Sequence, residues 1–223
     1  MPYSGRLKKL IELAHRQQIP AYPCVNHFRG PVQMRSVSSN FHALGGDGVY
    51  LFNFTRPTGK AILPEWGISD LKSLQEIGSV KTLRGKNKMF LADTGERRNY
   101  IGYSNPESPF PVRILGGRAV ELFVGDDIRR AKKVGLLTKL ELEVDVVHVQ
   151  PQEGVRIRVN GVSLESKRIS RSGKARFTAR PPASSLRRGV NKLIFAPGKN
   201  SPLSLDAQVT GLRLSVTYKS LQK

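Results

Sequence analysis

Strict alternation of apolar and polar residues marks the C-terminal half of the chain. In residues 139–147, KLELEVDVV, leucine and valine alternate with charged side chains, and this period of two recurs at 155–159 and 212–218. Such alternation predicts strands with one buried and one solvated face. The dipeptide Asn160-Gly161 predicts a tight hairpin, because a type I′ turn needs positive φ at both central residues. Regular strands and tight turns predict an antiparallel β-sandwich or jelly roll.

In the N-terminal half, helical and strand-like patterns alternate. The spacing of apolar residues predicts three helices: residues 5–17, the segment that follows Pro31 and stops at Gly45-Gly46, and the segment that closes at Gly78. The apolar runs IPAYPCVN (19–26) and GVYLFNF (48–54) predict strands covered on both faces. This order is the βαβ pattern, in which the two strands lie parallel. Since a β/α barrel needs eight strands, two of them indicate the terminal units of one.

The segment between these halves is rich in Pro, Ser, Asn and charge, which is typical of a domain boundary. We therefore predict an α/β plus all-β chain with a partial TIM-type β/α barrel at 1–95, a linker at 96–112 and a β-sandwich at 113–223. Asp126 or Asp127 is placed to cap a short helix over residues 128–134.

The net charge of the chain bears on the kind of partner it could bind. The chain has 37 Lys and Arg against 17 Asp and Glu, a net charge of +20. The excess is spread along both halves, which favours solvated faces over one nucleic-acid patch. A polyanion site on the sandwich strands stays open, however, and its candidates are Arg156, Arg158, Arg168, Arg171 and Arg176.

Several classes of site find no support in the motifs. The chain has a single cysteine, Cys24, which excludes an internal disulfide and a multi-cysteine zinc site. Its histidines show no metal-ligand spacing, and neither a P-loop nor a dinucleotide fingerprint occurs. We expect no cofactor and no metal. Neither a membrane span nor a signal peptide is visible, so the expected location is the cytoplasm by default.

Two groups of segments resemble known families. RIRVNGVSL (156–164) and SLRRGVNKLIF (185–195) resemble turns of galactose-binding-like β-sandwich domains, which often accompany glycoside hydrolases. IPAYPCVN, GGDGVYLFNF and LQEIGSVKTLRGKNKMF resemble the last strands and trailing segment of bacterial glycoside-hydrolase-like β/α barrels, a largely uncharacterised group. The resemblance implies a carbohydrate-related protein with hydrolysis of O-glycosyl bonds as its reaction in a longer form.

The candidate ligand residues follow from that resemblance and from the strand ends. Asn26 and His27 follow the first strand, and Asn53 and Arg56 follow the second, at the edge where barrels assemble their sites. Structural hydrogen bonds explain these four equally well. Trp66 either stacks on a sugar ring or packs in a core. No acid follows either strand, whereas glycosidases need a pair of carboxylates, so we expect no catalytic residue in this chain.

The sequence therefore supports two hypotheses. The first is a catalytically incomplete, glycoside-hydrolase-related protein whose sandwich binds carbohydrate or is structural, and which associates with a missing barrel portion. The second is a basic protein that binds nucleic acid or another polyanion.

Overall fold

Two antiparallel β-sheets account for most of the structure. The computed structural model describes residues 3–25, 30–51, 74–93, 110–116, 118–150, 153–171, 174–198 and 205–219. The helices in these ranges are α1 (Tyr3–Arg16), α2 (Pro31–Ala43), α3 (Leu74–Ile77), α4 (Val80–Leu83) and α5 (Ile128–Lys133). The strands are β1 (Cys24–Val25), β2 (Tyr50–Leu51), β3 (Lys88–Asp93), β4 (Val112–Arg113), β5 (Val120–Val124), β6 (Leu137–Val147), β7 (Val155–Val159), β8 (Val162–Leu164), β9 (Ser166–Arg171), β10 (Lys174–Ala179), β11 (Gly189–Pro197) and β12 (Gln208–Tyr218).

The two large sheets form a β-sandwich. One has six strands in the order β3-β12-β6-β10-β9, with β4 also paired to β12, and the other has four in the order β5-β11-β7-β8. Apolar side chains from both sheets share one buried core, for example Leu142 and Phe177 from the first and Ile157 and Leu193 from the second. The predicted antiparallel β-sandwich is therefore confirmed.

The strands predicted at 139–147, 155–159 and 212–218 are present, and buried positions alternate with more exposed ones along each of them. Along β7 the burial alternates strictly, and Arg156 and Arg158 are the two exposed positions. Asn160 has φ of 48° and Gly161 has φ of 90°, as a type I′ turn requires, and the turn joins β7 to β8. Asp127 caps α5 by accepting a hydrogen bond from the backbone N–H of Arg130.

Strand β3 was not predicted from the sequence. It lies within the range assigned to the barrel portion, yet it pairs with β12, and Phe90 enters the sandwich core. Its sequence, KMFLAD, gives too short an alternation to be recognised alone. The predicted linker at 96–112 lies almost entirely outside the described residues, so the boundary stays a prediction.

The N-terminal elements form a small α/β unit. Strands β1 and β2 pair in parallel, with Cys24 opposite Tyr50, and α2 lies between them in the chain. This agrees with the predicted βαβ order, and α1, α2 and α3 lie at the three places where helices were predicted. The pair is two residues long on each side, however, and a partial TIM barrel is not shown by it.

Helix α2 joins this unit to the sandwich. Ser36 Oγ donates a hydrogen bond to the backbone carbonyl of Met89 in β3 at 2.6 Å. The Asn40 amide donates to the carbonyl of Phe123 at 3.2 Å and accepts from the N–H of Gly125 at 2.7 Å. These side chains of α2 thus bond directly to the backbone of β3 and of the end of β5, so the helix packs closely against both strands.

Candidate functional site

The residues that the sequence singled out as ligand contacts lie outside the described part of the chain. This applies to all five: Asn26, His27, Asn53, Arg56 and Trp66. The strands that precede them, β1 and β2, are adjacent and parallel. The assignment of these five residues as ligand contacts therefore rests on the sequence alone and stays a prediction.

A buried polar cluster connects α2, β3, β12 and the turn after β5. At its centre the Asp126 carboxylate accepts a hydrogen bond from Ser39 Oγ at 2.5 Å through Oδ1. Its Oδ2 accepts from Tyr218 Oη at 2.5 Å and forms an ion pair with Lys88 Nζ at 2.9 Å. The side chain of Lys88 is only 1% exposed. One carboxylate thus ties together three elements that are distant in sequence.

The ammonium group of Lys88 has no unused donor. Besides Asp126 it donates to the backbone carbonyls of Leu83 at 2.7 Å and Lys86 at 3.2 Å, and it lies 5.3 Å from the centre of the Tyr218 ring. Burial lowers the pKa of Lys88 below its usual range, and the charge of Asp126 opposes that shift. A fully hydrogen-bonded, paired ammonium is a structural cation and not a nucleophile.

Tyr218 is equally unsuited to accept a proton. Burial, and then the neighbouring charge of Asp126, raise the pKa of its hydroxyl well above the usual range. The hydroxyl stays protonated and donates to Asp126. The cluster as a whole is therefore a saturated network that supports the fold, with no group free for acid–base chemistry.

An open cavity of about 290 Å³ lies directly over this network. Its lining includes Arg84, which follows α4, Arg130 and Val134 in and after α5, and Arg188, which precedes β11 and contacts the turn after β5. Tyr218 and Asp126 also line it. The polar network thus forms part of the lining of a cavity that also includes three arginines, Arg84, Arg130 and Arg188, named the rim arginines here.

The three rim arginines differ in how they are held. Arg188 Nε donates to the carbonyl of Gly125 at 3.1 Å, which orients its guanidinium group. The exposed side chains of Arg84 and Arg130 form no hydrogen bond or ion pair with any described residue. Asp127 also lines the cavity, and one of its oxygens accepts from the N–H of Arg130 as the cap of α5. The cavity therefore has an excess of positive charge.

Asp47 and the histidines His15 and His42 serve the fold. Asp47 accepts the N–H of Ala21 and pairs with His15, both at 2.8 Å, and these two contacts lower the pKa of its carboxyl group. His42 faces the carbonyl of Ile77 at 3.0 Å. Within the described ranges, no group of three His, Cys, Asp or Glu side chains could hold a metal ion.

The five candidate arginines of the polyanion hypothesis do not share one face. Arg156 and Arg158 lie on the outer face of the four-stranded sheet. Arg176 pairs with Asp145 at 2.7 Å on the six-stranded sheet, and Arg168 lies 5.9 Å from the ring of the core residue Phe177. The side chain of Arg171 is outside the described residues. Arg168 and Arg176 point to different faces of the six-stranded sheet, whereas Arg156 and Arg158, which share one strand face, line up.

The architecture is that of an antiparallel β-sandwich with a small α/β unit and a basic cavity where the two meet. No protein-family model matches this chain, and no curated protein matches it. None of the helices in the described ranges is long and apolar enough to cross a membrane. The sequence did not predict the cavity, because Arg84, Arg130 and Arg188 are far apart in the chain and share no motif.

Proposed function

We propose that this chain is a carbohydrate-binding module of a glycoside-hydrolase-related protein, and that its described part does no catalysis. The sandwich carries the last units of a β/α barrel in this proposal. The observation that supports it most is the parallel pair β1 and β2, with α2 between them, held against the sandwich by hydrogen bonds from Ser36 and Asn40. A binding role is consistent with a fold that positions this unit rigidly.

The acids of the cavity argue for binding over hydrolysis. A glycosidase needs one carboxylic acid that gives up a proton and one free carboxylate. Asp126 already accepts hydrogen bonds from Ser39 and Tyr218 and pairs with Lys88. Asp127 caps α5. Both carboxylates of the cavity are thus engaged in structural contacts and do not form a free acid and carboxylate pair, so the proposed module binds its ligand without cleaving it.

Exposed apolar side chains on the α/β unit support association with further barrel strands. Leu10 and Leu13 of α1 are 63% and 51% exposed, and Tyr22 and Tyr50, next to or within the short strands, are 58% and 53% exposed. Exposed large apolar side chains that form a patch are typical of an interaction site. In the proposed arrangement the missing barrel portion covers it.

Affinity electrophoresis and a hydrolysis assay test this function together. We expect the purified chain to be retarded in gels that contain a soluble polysaccharide, and we expect no new reducing ends in the same mixture. A basic protein without carbohydrate affinity, such as cytochrome c, in the same gels run towards the cathode controls for sieving and for attraction by charge. Release of reducing ends by the chain would contradict the non-catalytic part of the proposal. Unchanged mobility against a panel of neutral and acidic polysaccharides would contradict the binding part.

A second candidate function, polyanion binding, is favoured by the outer face of the four-stranded sheet. Arg156 and Arg158 alternate outward along β7, about 7 Å apart as alternate strand residues are, and Lys192 is exposed on the neighbouring β11. No carboxylate pairs with these three side chains among the described residues. This outer-face cluster would meet an extended chain of anionic groups through charge.

The salt dependence of DNA binding tests the outer-face cluster. If duplex DNA binds there, the double variant Arg156→Ser/Arg158→Ser loses two phosphate contacts, and the slope of log affinity against log salt falls by about 2. The variant Lys132→Ser/Lys133→Ser removes the same charge from α5 and should keep the slope. Equal slopes for both variants would show that net charge alone attracts DNA and would remove this second candidate.

A further inference from the structure

The three-arginine cavity combines features that select a particular kind of ligand. Its volume of about 290 Å³ is near the lower end of the range of ligand sites, roughly 300–1,000 Å³. It therefore fits one small group and not a long segment of polymer. A site of this size discriminates by a few contacts at fixed positions.

The positive charge of the rim arginines favours an anionic ligand. Arg84, Arg130 and Arg188 all line the cavity, while Asp126 is neutralised by Lys88 below. Asp127 is the one remaining carboxylate among the described lining residues. Three guanidinium groups against one carboxylate leave an unbalanced positive charge, and side chains of like charge do not gather at one cavity without cost.

The arginine side chains are also suited to a planar anion. A guanidinium group presents its N–H donors as a fork that matches a carboxylate in two parallel hydrogen bonds. The Nε of Arg188 is held by the carbonyl of Gly125 at 3.1 Å, so its outer nitrogens are oriented before any ligand arrives. Pre-orientation lowers the entropic cost of binding.

The walls add apolar contact beside the charge. Val80 of α4 is 58% exposed and Val134 at the end of α5 is 51% exposed, and both line the cavity. Leu136 and Ala131 also line the cavity. These apolar side chains would contact a ligand with a flat or apolar face, which a bare inorganic anion lacks.

We propose that the three-arginine cavity binds a small carboxylate with an apolar face, and specifically one acidic sugar residue such as a hexuronate. That the ligand is a sugar rests on the proposed function. That the ligand carries a carboxylate is inferred from the cavity alone. Arg188, Arg84 and Arg130 contact the carboxylate, and Val80 and Val134 contact the ring. The Asp126 network shapes the cavity and takes no part in binding.

Isothermal titration of the full chain with glucuronate and glucose tests this site, because the two sugars differ only in the carboxylate. At fixed ionic strength we expect glucuronate to bind at least about 10-fold more tightly, the effect of one charge-assisted hydrogen bond. Arg84→Gln and Arg130→Gln should each weaken glucuronate binding by about 10-fold or more. Both arginines are exposed, so thermal melting curves of the variants should match the wild type.

Matched controls separate the site from general attraction. Lys133→Gln removes the same charge from the same helix as Arg130 but lies outside the lining residues, and it should leave the affinity for glucuronate unchanged. Equal binding of glucuronate and glucose, or an equal loss in Lys133→Gln and Arg130→Gln, would overturn the proposal.

Benzoate, a carboxylate that is not a sugar, distinguishes the cavity from the proposed function. If benzoate binds as tightly as glucuronate, with the same loss in Arg130→Gln, the carboxylate site stands and the assignment to sugars is overturned. If glucuronate binds and benzoate binds at least about 10-fold more weakly, both the site and its sugar ligand are supported. Failure of every carboxylate to bind overturns the site even where polysaccharides retard the chain.

Discussion

Replacing Asp126 with alanine is expected to lower the free energy of unfolding by about 3–5 kcal/mol. The reason is the ammonium group of Lys88, which is buried and has its charge balanced by Asp126 at 2.9 Å. Without the carboxylate, the buried positive charge keeps two backbone carbonyls and the Tyr218 ring as partners but has no counter-charge. The hydroxyls of Ser39 and Tyr218 lose their acceptor at the same time. Urea denaturation followed by circular dichroism measures the loss.

The reciprocal substitution should be much milder. Lys88→Met removes the charge and keeps the apolar stem in its place, and Asp126, with a side chain 14% exposed, retains Ser39 and Tyr218 as donors. We expect it to cost less than half as much as Asp126→Ala. The double variant Lys88→Met/Asp126→Ala should be more stable than Asp126→Ala alone, because no stranded cation remains. A double variant less stable than Asp126→Ala would show that the ion pair is not the source of the effect.

A single methyl group at Gly125 is expected to destabilise the chain by about 1–3 kcal/mol or more. A Cβ at this position would lie 2.4 Å from the carbonyl oxygen and 2.5 Å from the carbonyl carbon of Ser39. These are backbone atoms of α2, so no side chain can swing away to relieve the clash. Either α2 or the end of β5 must move, and the hydrogen bond between Asn40 and Gly125 is lost with the contact.

The glycine at position 78 provides a matched control for Gly125→Ala. A Cβ there meets nothing within 4 Å, so Gly78→Ala should leave the unfolding midpoint nearly unchanged. Both variants are compared with the wild type by urea denaturation. If Gly125→Ala unfolds at the same urea concentration as the wild type, then the close approach of α2 to the sandwich does not contribute to stability.

The local elements could be read from the sequence because their signals are local. Burial alternates along β6 over residues 139–147, and the Asn160-Gly161 turn carries its own conformational preference. The Asp127 cap lies three residues from the N–H that it accepts. Each of these features depends on neighbours within a few positions, so a single sequence is enough to predict it.

The cluster and the cavity could not be predicted because their members are far apart in the chain. Ser39 and Asp126 are separated by 87 positions, and Asp126 and Tyr218 by 92. Asp126 was recognised only as a possible helix cap, and Lys88 carries no motif. The pairing of β3 with β12 brings Lys88 beside Tyr218, and this pairing depends on the register of two distant strands.

The basic charge shows the same division between local and tertiary information. Composition determined that the chain is strongly basic, and the order of its residues determined that the alternating segments make strands with one solvated face. Only the tertiary structure decided which cations are neutralised, as with Arg176 beside Asp145, and which are left exposed together, as with Arg84 and Arg130. The physical reason is that charge interactions act through space, and strand pairing sets those distances.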